Sequence, residues 1–301
     1  MIPVLPATES INPRYRELDA WDSLTSLQAM WEGQMAAVAA VQPALPAIAA
    51  AAEAAAARLA EGGGRLAYAG AGTSGRIGVQ DGAELPPTFD WPGSRLVLLM
   101  AGGDRAFTTS IENAEDDREA GRAAVAAHAL GAHDVVIGIA ASGSTPFTVA
   151  VLEAAAARGA LTVGVANAAG GGVLAHAAHP ILVPTGAEVV AGSTRMKAGT
   201  AQKIVLNLFS TQVMILLGRV HLGLMVDMQA RNEKLRRRAV RMLRHLTGND
   251  DDAALEAALA EAGGRVKTAV LVLRGQDRAG AEALLLRHGG RLRRALEEVC
   301  P

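Results

Sequence analysis

The 301 residues are 50% hydrophobic, enough for a sizeable core in one large or two modest domains, and 29 basic against 30 acidic side chains leave a formal net charge of −1. That balance gives no basis for a nucleic-acid or membrane-surface partner, so any anion site must be local. The single cysteine, Cys300, allows no internal disulfide and no cysteine-based metal cluster, which fits a reducing cytoplasm.

Met1–Glu9 lacks the basic start, apolar core and small-residue cleavage site of a signal peptide. Residues 1–20 are polar and carry Pro3, Pro6 and Pro13, the composition of an extended arm that needs a partner surface to order it. Alanine-rich segments predict helices over 24–41 and 46–59, with Pro46 suited to a first turn and Gly62-Gly63-Gly64 ending the second. The uncharged stretch Gly33–Ala52 is mostly alanine and interrupted by Pro43 and Pro46, poor material for a membrane span. Ile204–Gly218 is more apolar but short, and reads as a buried helix.

From Arg65 the pattern becomes short apolar runs, at 65–69, 95–100, 134–139, 161–165 and 180–183, of the kind buried on both faces of a parallel sheet. Helical stretches separate most of them, notably 109–130 and 146–158. Five strands alternating with helices predict a doubly wound α/β domain. Longer helices are expected over 200–217 and 226–246. Thr247-Gly248-Asn249-Asp250 is a break, and helical patterns at 253–262, 267–273 and 278–288 predict a small C-terminal helical subdomain. The expected organisation is an N-terminal arm with helices over 1–60, a central α/β domain over 61–247 and the helical subdomain over 248–301.

Two strands run directly into turns of glycine and hydroxyl residues that open helices. The first turn reads Gly70-Ala71-Gly72-Thr73-Ser74-Gly75-Arg76, and the second Ala140-Ala141-Ser142-Gly143-Ser144-Thr145-Pro146. Glycine lets a backbone approach a ligand, hydroxyls donate, and a helix N-terminus directs free N–H groups and a positive dipole end at the turn. Such turns lie beyond the carboxyl ends of the strands, where ligands bind in sheets of this kind. Together they suggest a clamp for a phosphorylated ligand. The first turn also matches G-x-G-x-x-G, but the second strand ends in Leu98-Leu99-Met100-Ala101-Gly102-Gly103 without the acidic residue that would hold a ribose, so dinucleotide binding is disfavoured. No Gly-Lys-Ser/Thr sequence supports a triphosphate loop.

His176 and His179 could share a helix face, but no neighbouring carboxylate or cysteine completes a metal set, and neither metal nor cofactor is expected. Carboxylates are better candidates. Glu84 precedes Leu85-Pro86-Pro87, where the prolines are expected to end the helix and hold Leu85 extended. Glu112, Glu115, Asp116 and Asp117 read as the start of the helix after the second strand, a position where acids also serve the helix dipole.

These residues resemble the N-acetylmuramic acid 6-phosphate etherase family. The likeness is carried by Ala69–Arg76, Glu84-Leu85-Pro86-Pro87-Thr88-Phe89, Glu112–Asp116, Gly186-Ala187-Glu188, Gly192-Ser193-Thr194-Arg195-Met196-Lys197 through Lys203, Leu224–Met228 and Thr8–Pro13, so it spans about 8–245. The resemblance implies a sugar isomerase (SIS) fold and a homodimer. It also implies cleavage of the lactyl ether of N-acetylmuramate 6-phosphate to N-acetylglucosamine 6-phosphate and D-lactate. It implies Glu84 as proton donor and Glu115 as second catalytic glutamate, with Gly72, Thr73, Ser74, Ser142, Ser144 and Thr145 at the sugar phosphate. Asn167, Glu188, Ser193, Arg195 and Lys197 are further substrate-site positions. Two positions depart from the pattern: Ser144 stands where arginine is expected, and Ala168 where proline is expected.

Two carboxylates suffice for this chemistry. In the open-chain sugar the C1 aldehyde acidifies the C2 proton for a base, Glu115, while an acid, Glu84, assists departure of the C3 ether oxygen. Burial of Glu84 beside Leu85-Pro86-Pro87 is the expected means of separating their pKa values. A straight helix would hold Ser74 and Glu84 about 15 Å apart at 1.5 Å per residue. Either the helix breaks near Gly82, or Glu84 serves a site in the partner subunit. The alternatives to an etherase are a non-catalytic sugar-phosphate regulator, since Gly186–Lys203 also resembles glucokinase regulatory protein, and a phosphosugar isomerase.

Overall fold

The structure, a computed structural model, describes residues 6–230 and 232–299, so Cys300 and the start of the N-terminal arm lie outside the described residues. The chain divides into two compact units: one holds the described residues up to Ala83 together with Ser94–Ser210, the other Glu84–Gly93 together with the described residues from Thr211. Residues 211–247, expected in the central domain, therefore belong with the C-terminal helices.

In the first unit, β1 (Leu66–Gly70), β2 (Leu96–Met100), β3 (Val135–Ala140), β4 (Leu161–Ala166) and β5 (His179–Leu182) form one parallel sheet in the order β2-β1-β3-β4-β5. The expected strands are all present, each within about a residue of its apolar run. Every residue of β1 and β3 is buried, as continuous apolar runs require in a sheet covered on both faces. The register aligns Gly70 with Met100 and with Ile139, so the chain leaves β1 and β3 side by side at the carboxyl edge. That places the two hydroxyl turns as neighbours.

Helix α1 (Ser23–Val41) starts at Asp22, whose side chain accepts from the Leu24 and Thr25 N–H groups. A 3-10 turn at Gln42–Ala44, with Pro43, separates it from α2 (Leu45–Ala60). By length and composition alone the run Ser23–Ala60, which contains an 18-residue window of mean hydropathy 1.7, is long and apolar enough to cross a membrane. Its α2 half, however, sets Ile48, Ala51, Ala52, Ala55 and Leu59 into the core and packs on β3, β4 and β5. Alanine suits this position because its small side chain brings helix and sheet close.

The N-terminal arm is not extended as expected. Short 3-10 turns at Ala7–Glu9, Pro13–Tyr15 and Leu18–Ala20 fold it, with Asn12 and Pro13 setting the second turn. Thr8 is fully buried and Arg14 pairs with Glu32 at 2.7 Å, so the described part of the arm finds contacts on its own chain.

Helix α3 spans Gly72–Phe89, with Pro86 and Pro87 inside it. The expectation that the prolines end the helix at Glu84 is corrected here, as is the extended backbone at Leu85. In the second unit, the carbonyls of Leu85 and Pro86 accept from the Trp91 and Asp90 N–H groups at 3.4 and 3.0 Å, closing the last turn. Asp90, at φ 51°, then turns the chain out of the helix. Arg219 donates to the Phe89 and Asp90 carbonyls at 2.6 and 3.2 Å and lies over the Trp91 ring, a cation placed on the negative end of the helix. Tertiary capping therefore overrides the local proline signal. Arg219→Ala is expected to cost about 2–3 kcal/mol, the scale of charged hydrogen bonds lost from a half-buried site, as a lower urea midpoint at unchanged m-value.

The rest of the second unit begins in α7 (Lys197–Leu216), which starts in the first unit, and continues through a short hairpin of β6 (Val220–His221) and β7 (Leu224–Met225). Helices α8 (Glu233–Thr247), α9 (Asp252–Glu261), α10 (Val266–Val272), α11 (Arg278–Arg287) and α12 (Leu292–Val299) follow. Val226, Leu243, Leu259, Val270 and Leu284 are among the side chains of their common core. Buried Lys267 is held by Asp227 at 2.7 Å and the Gly290 carbonyl at 2.6 Å, and burial lowers its pKa from the usual lysine value. Neither the hairpin nor α12 is legible in the sequence pattern. Two-residue strands show no period, and α12 buries only Leu292 and Ala295 among its charges.

Candidate active site

The first hydroxyl turn is built on a close approach of strand and helix. A side-chain carbon on Gly75 would fall 2.7 Å from the Gly70 carbonyl oxygen and also strike the Met100 sulfur. This packing brings the start of α3 over the end of β1. Gly72 has φ 51° and open space above it, Thr73 is half-buried, and Ser74 is buried at the base of the turn. Gly75→Ala is expected to destabilise the protein by about 1–3 kcal/mol, the usual scale of overpacking, with a fall in thermal midpoint as its measure.

Directly beyond this turn lies a cavity of about 170 Å³. Its walls include Gly72, Arg76, Ser110, Glu112, Asn113 and Glu115, so it joins the first turn to a catalytic candidate within one unit. Arg76 donates from Nε to the Ala106 and Phe107 carbonyls at 3.1 and 3.2 Å, which ties the segment after β2 to α3. In the sequence Arg76 closes the motif of the first turn and carries no role of its own. Its contact with the loop after β2 emerges only from the fold.

Glu115 does not begin a helix, contrary to expectation. It lies in a 3-10 turn, Ala114–Asp116, after Asn113 at φ 59°, and α4 (Arg118–Ala127) starts later with Asp117 as its cap, accepting from the Ala120 N–H at 2.8 Å. The left-handed residue at Asn113, a type that tolerates it, interrupts the helix predicted over 109–130. Asp117 serves the helix dipole, which leaves Glu115 without that structural duty. Its side chain is exposed at the cavity rim.

The second turn follows β3. The Ser144 backbone N–H and hydroxyl both donate to Ser142 Oγ, at 3.2 and 3.1 Å, which folds the turn on itself. Gly143 takes φ 74°. Thr145 makes no side-chain cap on α5 (Pro146–Ala157), so the first-turn amides of that helix face the turn without a side-chain acceptor from it. The 170 Å³ cavity is not walled by Ser142, Ser144 or Thr145; these stand on the neighbouring strand end.

Asn167, after β4, is 1% exposed: its Nδ2 donates to the Val183 carbonyl at 3.0 Å and its Oδ1 accepts from Gln202 Nε2 at 2.9 Å. Glu188 is fully buried, with its two oxygens accepting from the Lys197 and Ala198 N–H groups at 3.0 and 2.9 Å. It caps the start of α7, a carboxylate on the positive end of the helix. Lys197 Nζ donates to the Thr185 carbonyl at 2.8 Å. These three side chains thus hold the segment that presents Ser193, half-buried, and Arg195, exposed. Helix α1 braces the same segment, through Gly33 against Lys197 and through Gln34, which accepts from Thr200 Oγ1 at 2.5 Å.

Glu84 stands in the second unit, in the last turns of α3, and its side chain is exposed. Burial beside Leu85-Pro86-Pro87 is corrected: on a continuing helix Leu85 turns inward, at 2% exposure, and Glu84 outward. The helix also passes through Gly82 without a break. Among the described residues no group of three or more histidine, cysteine or carboxylate side chains is gathered as a metal site.

Residues 47–156 match the glucokinase regulatory protein N-terminal SIS domain, and residues 119–212 match the SIS domain. The chain is 49% identical over 292 residues to an N-acetylmuramic acid 6-phosphate etherase of Deinococcus radiodurans, covering 97% of this chain and 95% of the relative. It is 50% identical over 290 residues to an etherase of the same name from Streptomyces coelicolor, covering 96% and 93%. A third, from Gloeobacter violaceus, is 47% identical over 294 residues, covering 97% and 95%.

Proposed function

We propose, for a chain that belongs to the N-acetylmuramic acid 6-phosphate etherase family, cleavage of the D-lactyl ether of N-acetylmuramate 6-phosphate to N-acetylglucosamine 6-phosphate and D-lactate. The chain is an enzyme of that family. The observation that carries the reading is the cavity that opens from the Gly72 turn, a phosphate cradle by its chemistry, to the carboxylate of Glu115. Gly72, Thr73 and Ser74 on one strand end and Ser142, Ser144 and Thr145 on the next hold the 6-phosphate. Asn167, Glu188 and Lys197 shape the loop from which Ser193 and Arg195 reach the sugar.

Glu115 removes the C2 proton of the open-chain aldehyde to leave an enolate, and as the enolate collapses the C2–C3 double bond forms and the C3–O bond to lactate breaks. Glu84, as acid, gives its proton to the departing oxygen. Water then adds at C3 of the unsaturated aldehyde, activated by the glutamate left as a carboxylate, and C2 regains a proton. No step requires a cofactor or a metal. The setting is the cytoplasm and the recycling of cell-wall amino sugars.

The working form is a homodimer in which the partner subunit's Glu84 acts on substrate held at the first unit's turns. Two observations support this. Glu84 is exposed on its own chain and stands outside the unit that carries the hydroxyl turns and Glu115. In addition, α1 turns Leu24, Leu27, Trp31, Met35 and Val38 outward along the face opposite its buried Ala29, Gly33 and Ala37. A second copy is the natural cover for so long an apolar stripe. Lactate released from N-acetylmuramate 6-phosphate by the purified chain is the deciding assay; a sugar-phosphate regulator or an isomerase would release none.

A further inference from the structure

Residues 211–301 hold 16 lysines and arginines against 11 aspartates and glutamates, within a chain of net charge −1. Part of this excess is neutralised locally. Arg287 pairs with Glu298 at 2.6 Å, Arg278 with Glu282 at 3.1 Å, and Arg244 with Asp252. Arg274, Arg291, Arg293 and Arg294 differ: among the described residues none of them makes an ion pair or a side-chain hydrogen bond.

These four arginines surround the β6–β7 hairpin, where two hollows meet. The larger, of about 530 Å³, has Val220, Leu222 and Leu292 among its apolar walls and Arg291, Arg293 and Arg294 beside them. The smaller, of about 350 Å³, lies between Arg274, Arg293 and Leu296 and shares His221 and Leu222 with the first. Glu297 also lines the smaller hollow and offsets its charge, so the stronger anion field belongs to the larger one. His221 is 9% exposed, and its pKa is lowered by burial and then by the charges of Arg293 and Lys267, a local sign of the same positive potential.

The hairpin tip is the second unusual feature. Leu222 occupies the first central position of a two-residue turn with φ 48°, where asparagine, aspartate or glycine is the ordinary choice, and its side chain is 57% exposed. A strained backbone carrying an exposed apolar side chain at the mouth of a cationic hollow is the kind of departure that binding sites retain.

We propose that this double hollow binds a small amphiphilic oxyanion, a phosphate or carboxylate joined to an apolar or ring body. Arg291, Arg293 and Arg294 supply planar forks that match the oxygens of either group. Leu222, Val220 and Leu292 take the apolar part, and neutral His221 offers one hydrogen bond at their junction. The site lies wholly in the second unit and is independent of the residues assigned to ether cleavage.

The test uses the full chain with labelled Val and Leu methyl groups, titrated with 1-naphthyl phosphate, 1-naphthoate and 1-naphthol. Saturable shifts at Val220, Leu222 and Leu292 with either anion are expected, the two arms telling which oxyanion is preferred. Arg293→Ala/Arg294→Ala, at exposed positions, should raise the dissociation constant at least tenfold. Leu222→Asn, which suits the turn and should leave the thermal midpoint unchanged or higher, should raise it about fivefold. The proposal is overturned if those methyls do not move, if 1-naphthol moves them as effectively, or if both variants bind within twofold of the parent. Shifts that follow protein concentration rather than the probe would overturn it too, by making the hollow a contact between copies of the chain.

Discussion

Glu115→Gln should lower lactate release from N-acetylmuramate 6-phosphate by about 10²–10⁴-fold, the usual contribution of a positioned general base. The variant should also stop exchange of the C2 hydrogen with deuterium from solvent. Glu84→Gln should lose lactate release on a similar scale while keeping that exchange, because proton removal at C2 precedes departure of the ether oxygen. The reasoning rests on place as much as on residue type. Glu115 is set by a 3-10 turn at the rim of a cavity that reaches Gly72, and Asp117, not Glu115, caps the following helix. Loss of a purely structural acid there would lower the thermal midpoint and spare the rate. Should Glu84→Gln abolish exchange and Glu115→Gln preserve it, the two roles are reversed.

The second large effect is expected at α1. Trp31, 66% exposed in the middle of the stripe, is the side chain most able to anchor a seam between two copies. Trp31→Glu replaces that anchor with a charge and should weaken self-association by about 3 kcal/mol, over a hundredfold in the dissociation constant. Sedimentation at micromolar protein should then show a monomer, with helix content retained because Asp22 and the buried Ala29–Gly33–Ala37 face are untouched. If the site is completed by the partner, lactate release falls with the dimer and regains rate as protein concentration rises. Mixing inactive Glu84→Gln with inactive Ser74→Ala subunits should restore activity in the heterodimer. A monomeric Trp31→Glu enzyme working at the parent rate would rule the shared site out.

Much of the first unit was legible because parallel strands leave an unambiguous mark. Val135-Val136-Ile137 is buried on both faces, and Leu96-Val97-Leu98-Leu99, on the edge strand, is buried on one face and half-buried on the other, so both apolar runs are continuous and bounded by turn residues. The alanine-rich helices and the two hydroxyl turns were readable for similar local reasons. The end of α3 was not. Proline at 86 and 87 is a local signal to stop, and it is overruled by Arg219 and Trp91, more than a hundred residues apart from each other in sequence and joined only by the fold. The helix predicted over 109–130 failed at Asn113 for the opposite reason, since one left-handed residue outweighs a favourable composition around it.

For the site, residue types and their order along the chain pointed by themselves to a phosphate cradle with carboxylates and, through family likeness, to an etherase. Covalent order carries that information because turns and helix starts are made from neighbouring residues. What each side chain does depended on distant partners. Glu188 and Asn167 became supports once their oxygens were found occupied by α7 amides and Gln202. Arg76 became the tie of the cavity wall, Glu115 its rim, and Glu84 an exposed residue of the second unit. Burial and hydrogen-bond partners are set by packing between segments far apart in sequence, and only the tertiary structure decides them.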